Sequence, residues 1–227
     1  MRGIRIILLD YDMTLMNNVF DFYDAINTTI RKYGGAPISY DEFYDLLITH
    51  RLYDVIPEGV DQEEFWRYFR RIYRSMYSQP TWGAERFLWY THVIGLRKVI
   101  VSGRECHEKL IWMELERHGL DEYIDDVYTL YHLEVIGGIE EELFDKSWLI
   151  KYVLDKYGYE PSEAVYLGDY QQDYKSSNKI GVEFIGVAFD ENRAECLRRI
   201  GARHVVRNLE EALWVLIDIM REKRNTG

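Results

Sequence analysis

Two acidic residues stand directly after the first apolar run of the chain, which covers residues 4–9. They are Asp10 and Asp12, and residues at i and i+2 of an extended chain point to the same side, so their carboxylates can meet at one site. Carboxylate oxygens are hard ligands of the kind that Mg²⁺ prefers. Carboxylates after a strand are also typical of a turn or a helix cap, so the pair alone leaves both interpretations open.

Other polar residues occupy comparable places near later strand-like runs. They are Ser102 and Gly103 after residues 99–101, Lys146 near the start of a helical pattern, and Asp169 and Asp173 after residues 164–168. Each of them alone is also typical of a loop, a surface lysine or a helix start. Their joint placement is better evidence of a site than any one of them, because parallel sheets bind ligands beyond the carboxyl ends of their strands.

The strands that must position these residues are short, β-branched and almost continuously apolar. We predict strands at residues 4–9, 98–101, 164–167 and 183–188, with a weaker one at 127–130. Helical patterns lie between or after them, at residues 105–118, 147–157, 194–200 and 209–220. Such alternation is typical of a parallel sheet covered on both faces. The sequence therefore predicts an α/β fold, a doubly wound parallel sheet.

Residues 17–79 interrupt this alternation, because they show helical patterns without a clear strand. We predict a Rossmann-like core of residues 1–16 and 80–227 and a small inserted helical module of residues 17–79. Within the module, one apolar face is predicted on a helix that starts near Asp61. Its members, spaced by three or four residues, are Phe65, Phe69, Ile72 and Met76.

The same predicted helix carries basic residues in its later turns, namely Arg67, Arg70, Arg71 and Arg74. Acidic residues lie in its first turn, which is the arrangement that the helix dipole favours. We interpret the arginines as a solvated, dipole-matched face rather than an anion-binding site.

The overall composition narrows the class of protein. The chain has 227 residues, of which 39 are acidic and 28 basic, giving a net charge of −11. This negative field opposes binding to nucleic acid or to an anionic membrane. No apolar run reaches the length of about 18 residues that a membrane span needs. Cys106 and Cys196 form no disulfide or zinc motif, and we expect a cytoplasmic protein with reduced thiols.

The joint pattern resembles the haloacid dehalogenase-like superfamily of phosphotransferases. Its signature is a strand ending in D-x-D-x-T, a strand ending in Ser or Thr, a Lys, and G-D-x-x-x-D. Here these motifs are L-L-D-Y-D-M-T-L, V-I-V-S-G-R, Lys146 in F-D-K-S-W-L, and L-G-D-Y-Q-Q-D. The family often carries a helical cap after the first motif, where residues 17–79 lie, and the C-terminal part resembles the phosphoglycolate phosphatase-like branch. Met13 departs from the pattern, because many relatives have Gly there.

This resemblance implies a Mg²⁺-dependent phosphatase that acts on a small phosphorylated metabolite. Asp10 is implied as the nucleophile that forms an aspartyl-phosphate, and Asp12 as the general acid and base. Ser102, Gly103 and Lys146 are implied to bind the phosphoryl group.

The implied metal site uses residues from the same motifs. Asp10 and Asp169 would bind Mg²⁺ through their carboxylates and Asp12 through its backbone carbonyl. Asp173 would hold this set of ligands in place.

Two other functions stay open at this point. A sugar phosphomutase would use the same core, and a non-catalytic binding protein could keep the fold without turnover. A dehalogenase is disfavoured by Asp12, and a phosphonatase by the place of Lys32, the only lysine in the predicted cap, at an apparent helix end.

The substrate would be set by cap residues that face the cleft. His50 and Arg51 are candidates for contact with an anionic substrate, although a helix-end cation is an equal interpretation of Arg51. Aromatic residues in and near the predicted cap allow a homodimer. They are Trp66, Tyr68, Tyr73, Tyr77 and Trp82.

Overall fold

A six-stranded parallel sheet forms the centre of the computed structural model, which describes residues 3–225. The strands are β1 (Ile6–Leu9), β2 (Met16–Asn17), β3 (Gln79–Pro80), β4 (Arg97–Ser102), β5 (Asp126–Thr129), β6 (Ala164–Gly168), β7 (Glu183–Val187) and β8 (His204–Val206). The order in the large sheet is β5-β4-β1-β6-β7-β8, with every neighbouring pair parallel. All four residues of β1 are buried, as an apolar strand covered on both faces must be. The predicted α/β fold is thus confirmed.

Helices cover both faces of this sheet. They are α1 (Val19–Lys32), α2 (Tyr40–Ile48), α3 (Gln62–Ile72), α4 (Ala84–Val93), α5 (Lys109–Arg117), α6 (Tyr131–Ile136), α7 (Ser147–Tyr157), α8 (Gln171–Ile180), α9 (Glu191–Arg199) and α10 (Leu209–Asn225). One core packs α4, α5 and α10 against the sheet, with Phe87, Ile111 and Leu216 in its centre. The other packs α7 and α9, with Leu149 and Leu197. Among residues 3–225, no helix has the length and apolar character needed to cross a bilayer.

The helix predicted at residues 105–118 starts later than expected, at Lys109. The reason is that the preceding backbone makes other hydrogen bonds. The carbonyl of Arg104 accepts from the N–H of Leu130 at 2.9 Å, and the carbonyl of Cys106 accepts from the Thr129 hydroxyl at 2.6 Å. These contacts hold the segment as a loop against β5.

Helices α1, α2 and α3 form a separate layer with its own apolar core, which we call the cap layer. A two-stranded antiparallel ribbon lies at its base, where β2 pairs with β3 through Met16 opposite Pro80 and Asn17 opposite Gln79. All three helices fall within residues 17–79. The division of the chain into core and cap domains at these positions stays a prediction.

The apolar face predicted on α3 is only partly correct. Phe65 and Phe69 are buried as expected, but the helix ends at Ile72 and Met76 is 67% exposed. The chain leaves the helix because the Asp21 carboxylate accepts hydrogen bonds from the N–H groups of Met76 and Tyr77, at 2.8 and 3.1 Å. These residues therefore anchor the chain to α1.

The interpretation of the arginines as one solvated helix face is wrong for two of them. Arg70 is buried and makes a bidentate contact with Glu140, at 2.5 and 3.1 Å. Arg74 lies beyond the end of α3. Arg67 and Arg71 are exposed, as predicted.

Candidate active site

The carboxyl ends of three adjacent strands bring the predicted motifs to one edge of the sheet. Leu9 at the end of β1 is paired with Ile100 of β4 on one side and with Leu167 of β6 on the other. The next residue, Asp10, continues the ladder by donating its N–H to the Leu167 carbonyl at 2.8 Å. Asp10 and the ends of β4 and β6 therefore face one site.

Three buried carboxylates meet at this edge, those of Asp10, Asp169 and Asp173. One oxygen from each lies within 4.8 Å of the others. Gly168 permits this approach, because a Cβ atom there would lie only 2.6 Å from the Asp173 side chain. The glycine of the fourth motif thus has a packing role that brings α8 against the end of β6.

Lys146 lies among these carboxylates and is itself buried. Its Nζ donates to Asp10 Oδ1 at 2.5 Å and to Asp173 Oδ1 at 2.7 Å. Burial alone disfavours the ammonium, but the charges of Asp10 and Asp173 overcome it and raise the pKa of Lys146 well above its usual value. The lysine is therefore a permanent cation in contact with Asp10.

For Asp10, the environment favours the neutral form over the charged one. Burial raises the pKa of its carboxyl group, Lys146 opposes this, and the neighbouring Asp173 and Asp169 add to it. The cluster therefore holds more negative charge than the buried environment favours. A divalent cation is the kind of partner that would relieve this repulsion.

Asp12 is held apart from the three-carboxylate cluster by Arg104. The buried guanidinium of Arg104 contacts Asp12 through Nη2 to Oδ1 at 2.6 Å and Nε to Oδ2 at 2.9 Å. The Tyr73 hydroxyl donates to the same carboxylate at 3.2 Å, and Asn18 donates to it as well. Sequence reasoning missed these partners, although Arg104 is the last residue of the quoted motif V-I-V-S-G-R.

The turn after Asp12 adopts the left-handed conformation at Met13, with φ of +61°. Its N–H donates to the Met16 carbonyl at 2.7 Å and to Asn18 Oδ1 at 3.2 Å. The turn expected of the more usual glycine is therefore formed despite the larger side chain.

The second motif contributes a buried hydroxyl and a close backbone approach. Ser102 is fully buried, and its Oγ accepts from the N–H of Arg104 at 3.2 Å. A Cβ atom on Gly103 would lie 3.4 Å from Cε of Lys146. Gly103 lines the cavity described below, whereas Ser102 lies behind it.

Arg193 joins Asp169 to the cap layer, a contact with no signal in the motifs. The buried guanidinium pairs with the Asp169 carboxylate through Nη2 and donates from Nη1 to the Leu47 carbonyl at 2.8 Å. Thr14, from the first motif, donates to Asp169 Oδ1 at 3.3 Å. Arg193 thus links Asp169 to the cap layer.

A cavity of about 120 Å³ lies between the cap layer and this edge of the sheet. Its walls include Asp10, Asp12, Lys146, Asp169 and Asp173, so the structure brings these predicted residues to one cavity.

The two cap residues predicted to contact substrate differ. His50 lines the cavity and stacks on Tyr170 with ring centroids 5.0 Å apart, whereas the exposed Arg51 pairs with Asp54 at 2.5 Å outside it. Burial and the charge of Arg193 lower the pKa of His50 to about 3, so its ring is neutral. Neither residue offers a free cation to an anionic substrate.

Comparison with known proteins agrees with this geometry. A family model described as haloacid dehalogenase-like hydrolase matches residues 7–187. The chain is 23% identical over 232 residues to a phosphoglycolate phosphatase of Vibrio parahaemolyticus, covering 95% of this chain and 97% of the relative.

Solved structures share the fold. A "predicted phosphatase" from Clostridium acetobutylicum superposes with a TM-score of 0.74 at 18% identity, covering 96% of this chain and all (100%) of that one. A haloacid dehalogenase-like family hydrolase from Streptococcus pneumoniae gives a TM-score of 0.70 at 14% identity, covering 93% and 98%.

Proposed function

The chain belongs to the haloacid dehalogenase-like hydrolases, and we propose that it is a Mg²⁺-dependent phosphatase that hydrolyses a small phosphate monoester through a phosphorylated Asp10. The observation that carries this proposal is the contact between Asp10 and Lys146 at 2.5 Å, on the wall of the cavity between the cap layer and the sheet. A carboxylate beside a fixed cation is suited to attack a phosphoryl group whose charge that cation neutralises.

The carboxylate cluster fits a magnesium ion. Its donors are hard oxygens, they lie within 4.8 Å of one another, and their mutual repulsion favours a cation. Asp10 and Asp169 would hold the ion with the backbone carbonyl of Asp12. Asp173, fixed by the N–H of Tyr170 at 3.1 Å, would position them. When bound, the ion supplies positive charge that neutralises phosphoryl oxygens.

The first chemical step transfers the phosphoryl group to the protein. A carboxylate oxygen of Asp10 forms the new bond to phosphorus while the bond from phosphorus to the leaving oxygen breaks. Asp12, in its protonated form, gives its proton to that oxygen, so that an alcohol departs. Lys146 and Gly103, on the cavity wall, would hold the phosphoryl group in line during this step, and the buried Ser102 would hold the adjoining backbone through its Oγ, which accepts from the N–H of Arg104.

The second step restores Asp10. Water attacks the phosphorus of the aspartyl-phosphate and loses a proton to Asp12, which the first step left as a carboxylate. The bond between Asp10 and phosphorus breaks, and inorganic phosphate leaves. Arg104 and Tyr73, which both contact Asp12, orient this carboxylate for the two proton transfers.

The test is Mg²⁺-dependent release of phosphate from an aryl phosphate and a metabolite panel. We expect Asp10→Asn to lower kcat/KM by at least about a thousandfold, because the amide is a poor nucleophile. The matched control is Asp155→Asn on α7, whose carboxylate is 65% exposed and pairs with the exposed Lys151. A chelator should abolish wild-type release.

Two results would contradict the proposal. Activity retained in Asp10→Asn would exclude the aspartyl-phosphate, and activity retained with the chelator would exclude the metal. If the folded wild type releases phosphate from no substrate, a phosphatase is excluded and sugar-phosphate isomerisation is the next assay.

A homodimer built through the aromatic residues of the cap layer and its base stays a prediction. Trp66 and Tyr73 are buried within one chain, but Tyr77 and Trp82 are 71% and 75% exposed. Light scattering that gives the mass of a single chain would exclude the dimer.

A further inference from the structure

The cavity wall carries two chemically different sets of residues. One set is the catalytic groups Asp10 and Lys146, with the backbone of Gly103. The other set is aromatic, and its members, from both layers, are Phe22, Tyr53, Trp66, Phe69, Phe144 and Tyr170. The two sets meet at Phe144, whose ring would lie 3.5 Å from a Cβ atom on Gly103. Adjacent rings pack closely, with centroids 4.5 Å apart for Phe22 and Phe69 and 5.7 Å for Trp66 and Phe144. A phosphoryl group held by the polar set would place its leaving alcohol beside these rings.

Each cation on the cavity wall is already paired within the described part of the chain. Lys146 is bound to Asp10 and Asp173, Arg193 to Asp169, and Arg104 to Asp12 and Glu114. None of these three cations is therefore free to pair with a carboxylate of the substrate.

Arg70 also lines the cavity, on the same helix as Trp66 and Phe69, and it too is paired with carboxylates. It contacts Glu140 at 2.5 Å and Glu105 at 3.4 Å, and its guanidinium lies 5.1 Å from the ring of Phe144. The neutral His50 adds no charge. A carboxylate on the leaving group would lose its water here without gaining a free cation, which is unfavourable.

The volume of the cavity also bears on the size of the leaving group. An engineered apolar cavity of about 150 Å³ in another protein is large enough for benzene. The cavity of about 120 Å³ in this chain is therefore of single-ring size.

We propose that the leaving alcohol of the natural substrate is uncharged and carries one planar ring, rather than a carboxylate as in phosphoglycolate. This rests on the proposed phosphatase function and narrows its substrate class. Flat rings pack favourably against aromatic side chains, and an uncharged group needs none of the paired cations.

The first test compares two substrates that both leave as primary alcohols, benzyl phosphate and 2-phosphoglycolate. We expect wild-type kcat/KM for benzyl phosphate to exceed that for 2-phosphoglycolate tenfold or more. A smaller ratio, or the reverse order, overturns the proposal. Ethyl phosphate, which has neither ring nor carboxylate, should rank below benzyl phosphate, and an equal rank would show that the rings do not recognise the substrate.

The second test releases the buried arginine. Glu140→Gln keeps the shape of the side chain and removes the charge that is bidentate with Arg70. We expect the ratio of kcat/KM for 2-phosphoglycolate to that for benzyl phosphate to rise at least threefold. The matched control is the neighbouring Glu141→Gln, whose carboxylate is 63% exposed and contacts Lys179, and it should leave the ratio unchanged. An unchanged ratio in Glu140→Gln overturns the charge argument.

A binding experiment separates this inference from the proposed function. It uses the wild type, so it does not depend on whether a variant folds. Calorimetry with Mg²⁺ present would measure the affinity for benzylphosphonate and for phosphonoacetate, neither of which has an ester bond. We expect benzylphosphonate to bind at least tenfold more tightly. If it does so while no ester is hydrolysed, the proposed phosphatase function fails, and what stands is the preference of the cavity for an uncharged ring over a carboxylate. If phosphate is released but phosphonoacetate binds more tightly, the inference fails alone.

Discussion

The left-handed turn at Met13 makes a quantitative prediction about stability. Met13 has φ of +61°, a conformation that costs a residue with a side chain about 1–2 kcal/mol relative to glycine. The same side chain is only 6% exposed and belongs to the apolar core of the cap layer. Met13→Gly therefore removes backbone strain and buried apolar contacts together.

The magnitudes decide which effect is larger. Truncating a buried methionine to alanine costs about 2–5 kcal/mol, and the lower end applies because Met13 borders a cavity. Going from alanine to glycine then recovers about 1–2 kcal/mol of strain and loses about 0.4–1 kcal/mol through the more flexible unfolded chain. We expect Met13→Gly to be destabilised by about 0.4–2 kcal/mol, and Met13→Ala by up to about 1.6 kcal/mol more.

Urea denaturation followed by circular dichroism would measure both variants. In a chain of this size a loss of 1 kcal/mol lowers Tm by about 2–4 °C, so thermal unfolding provides a second readout. A Met13→Gly protein as stable as the wild type would refute the claim that packing outweighs strain. A Met13→Ala protein more stable than Met13→Gly would refute the claim of strain itself.

Three further predictions concern the buried charges. His50 has a pKa of about 3 in the folded protein and about 6.5 in the unfolded chain. As pH falls below 6.5, its imidazole therefore gains a proton in the unfolded state before it does so in the folded one. Wild type should then lose about 2 kcal/mol more stability than His50→Asn between pH 7 and 4.5 in urea titrations, and equal losses would contradict this. Lys146→Met should lower kcat/KM for phosphate release about 10²–10³-fold, and a loss below tenfold would show that the lysine only pairs with Asp10. Arg193→Met should destabilise the metal-free protein by about 3 kcal/mol in urea, because Asp169 then stays buried and unpaired, and an unchanged urea midpoint would exclude that role.

The sheet could be predicted from sequence because its strands are nearly continuous apolar runs. The observed β1, β4, β5, β6 and β7 each fall within two residues of the predicted bounds. The prediction did not include β8, which has three residues, none of them fully buried. An edge strand of this length leaves too little periodicity to recognise.

Three of the four family motifs were recognisable because they stand at the ends of β1, β4 and β6, and strand ends are visible in the sequence; Lys146 instead directly precedes α7. The partners of those motifs were not. Arg70 meets Glu140 across 70 positions of the chain, and Arg193 reaches Leu47 across 146. Local periodicity carries no information about such contacts. The sequence pattern of a buried arginine is therefore the same as that of a solvated one.

The ribbon of β2 and β3 has a consequence for how this protein can change over evolutionary time. The chain leaves the core and returns to it through neighbouring strands, with Asn17 opposite Gln79. Everything between those positions can be lengthened, shortened or replaced without altering the register of β1 with β4 and β6. Exchange of one continuous segment can thus change the cap side of the cavity, while the carboxylates of Asp10, Asp169 and Asp173 and the ammonium of Lys146 come from the remainder of the chain.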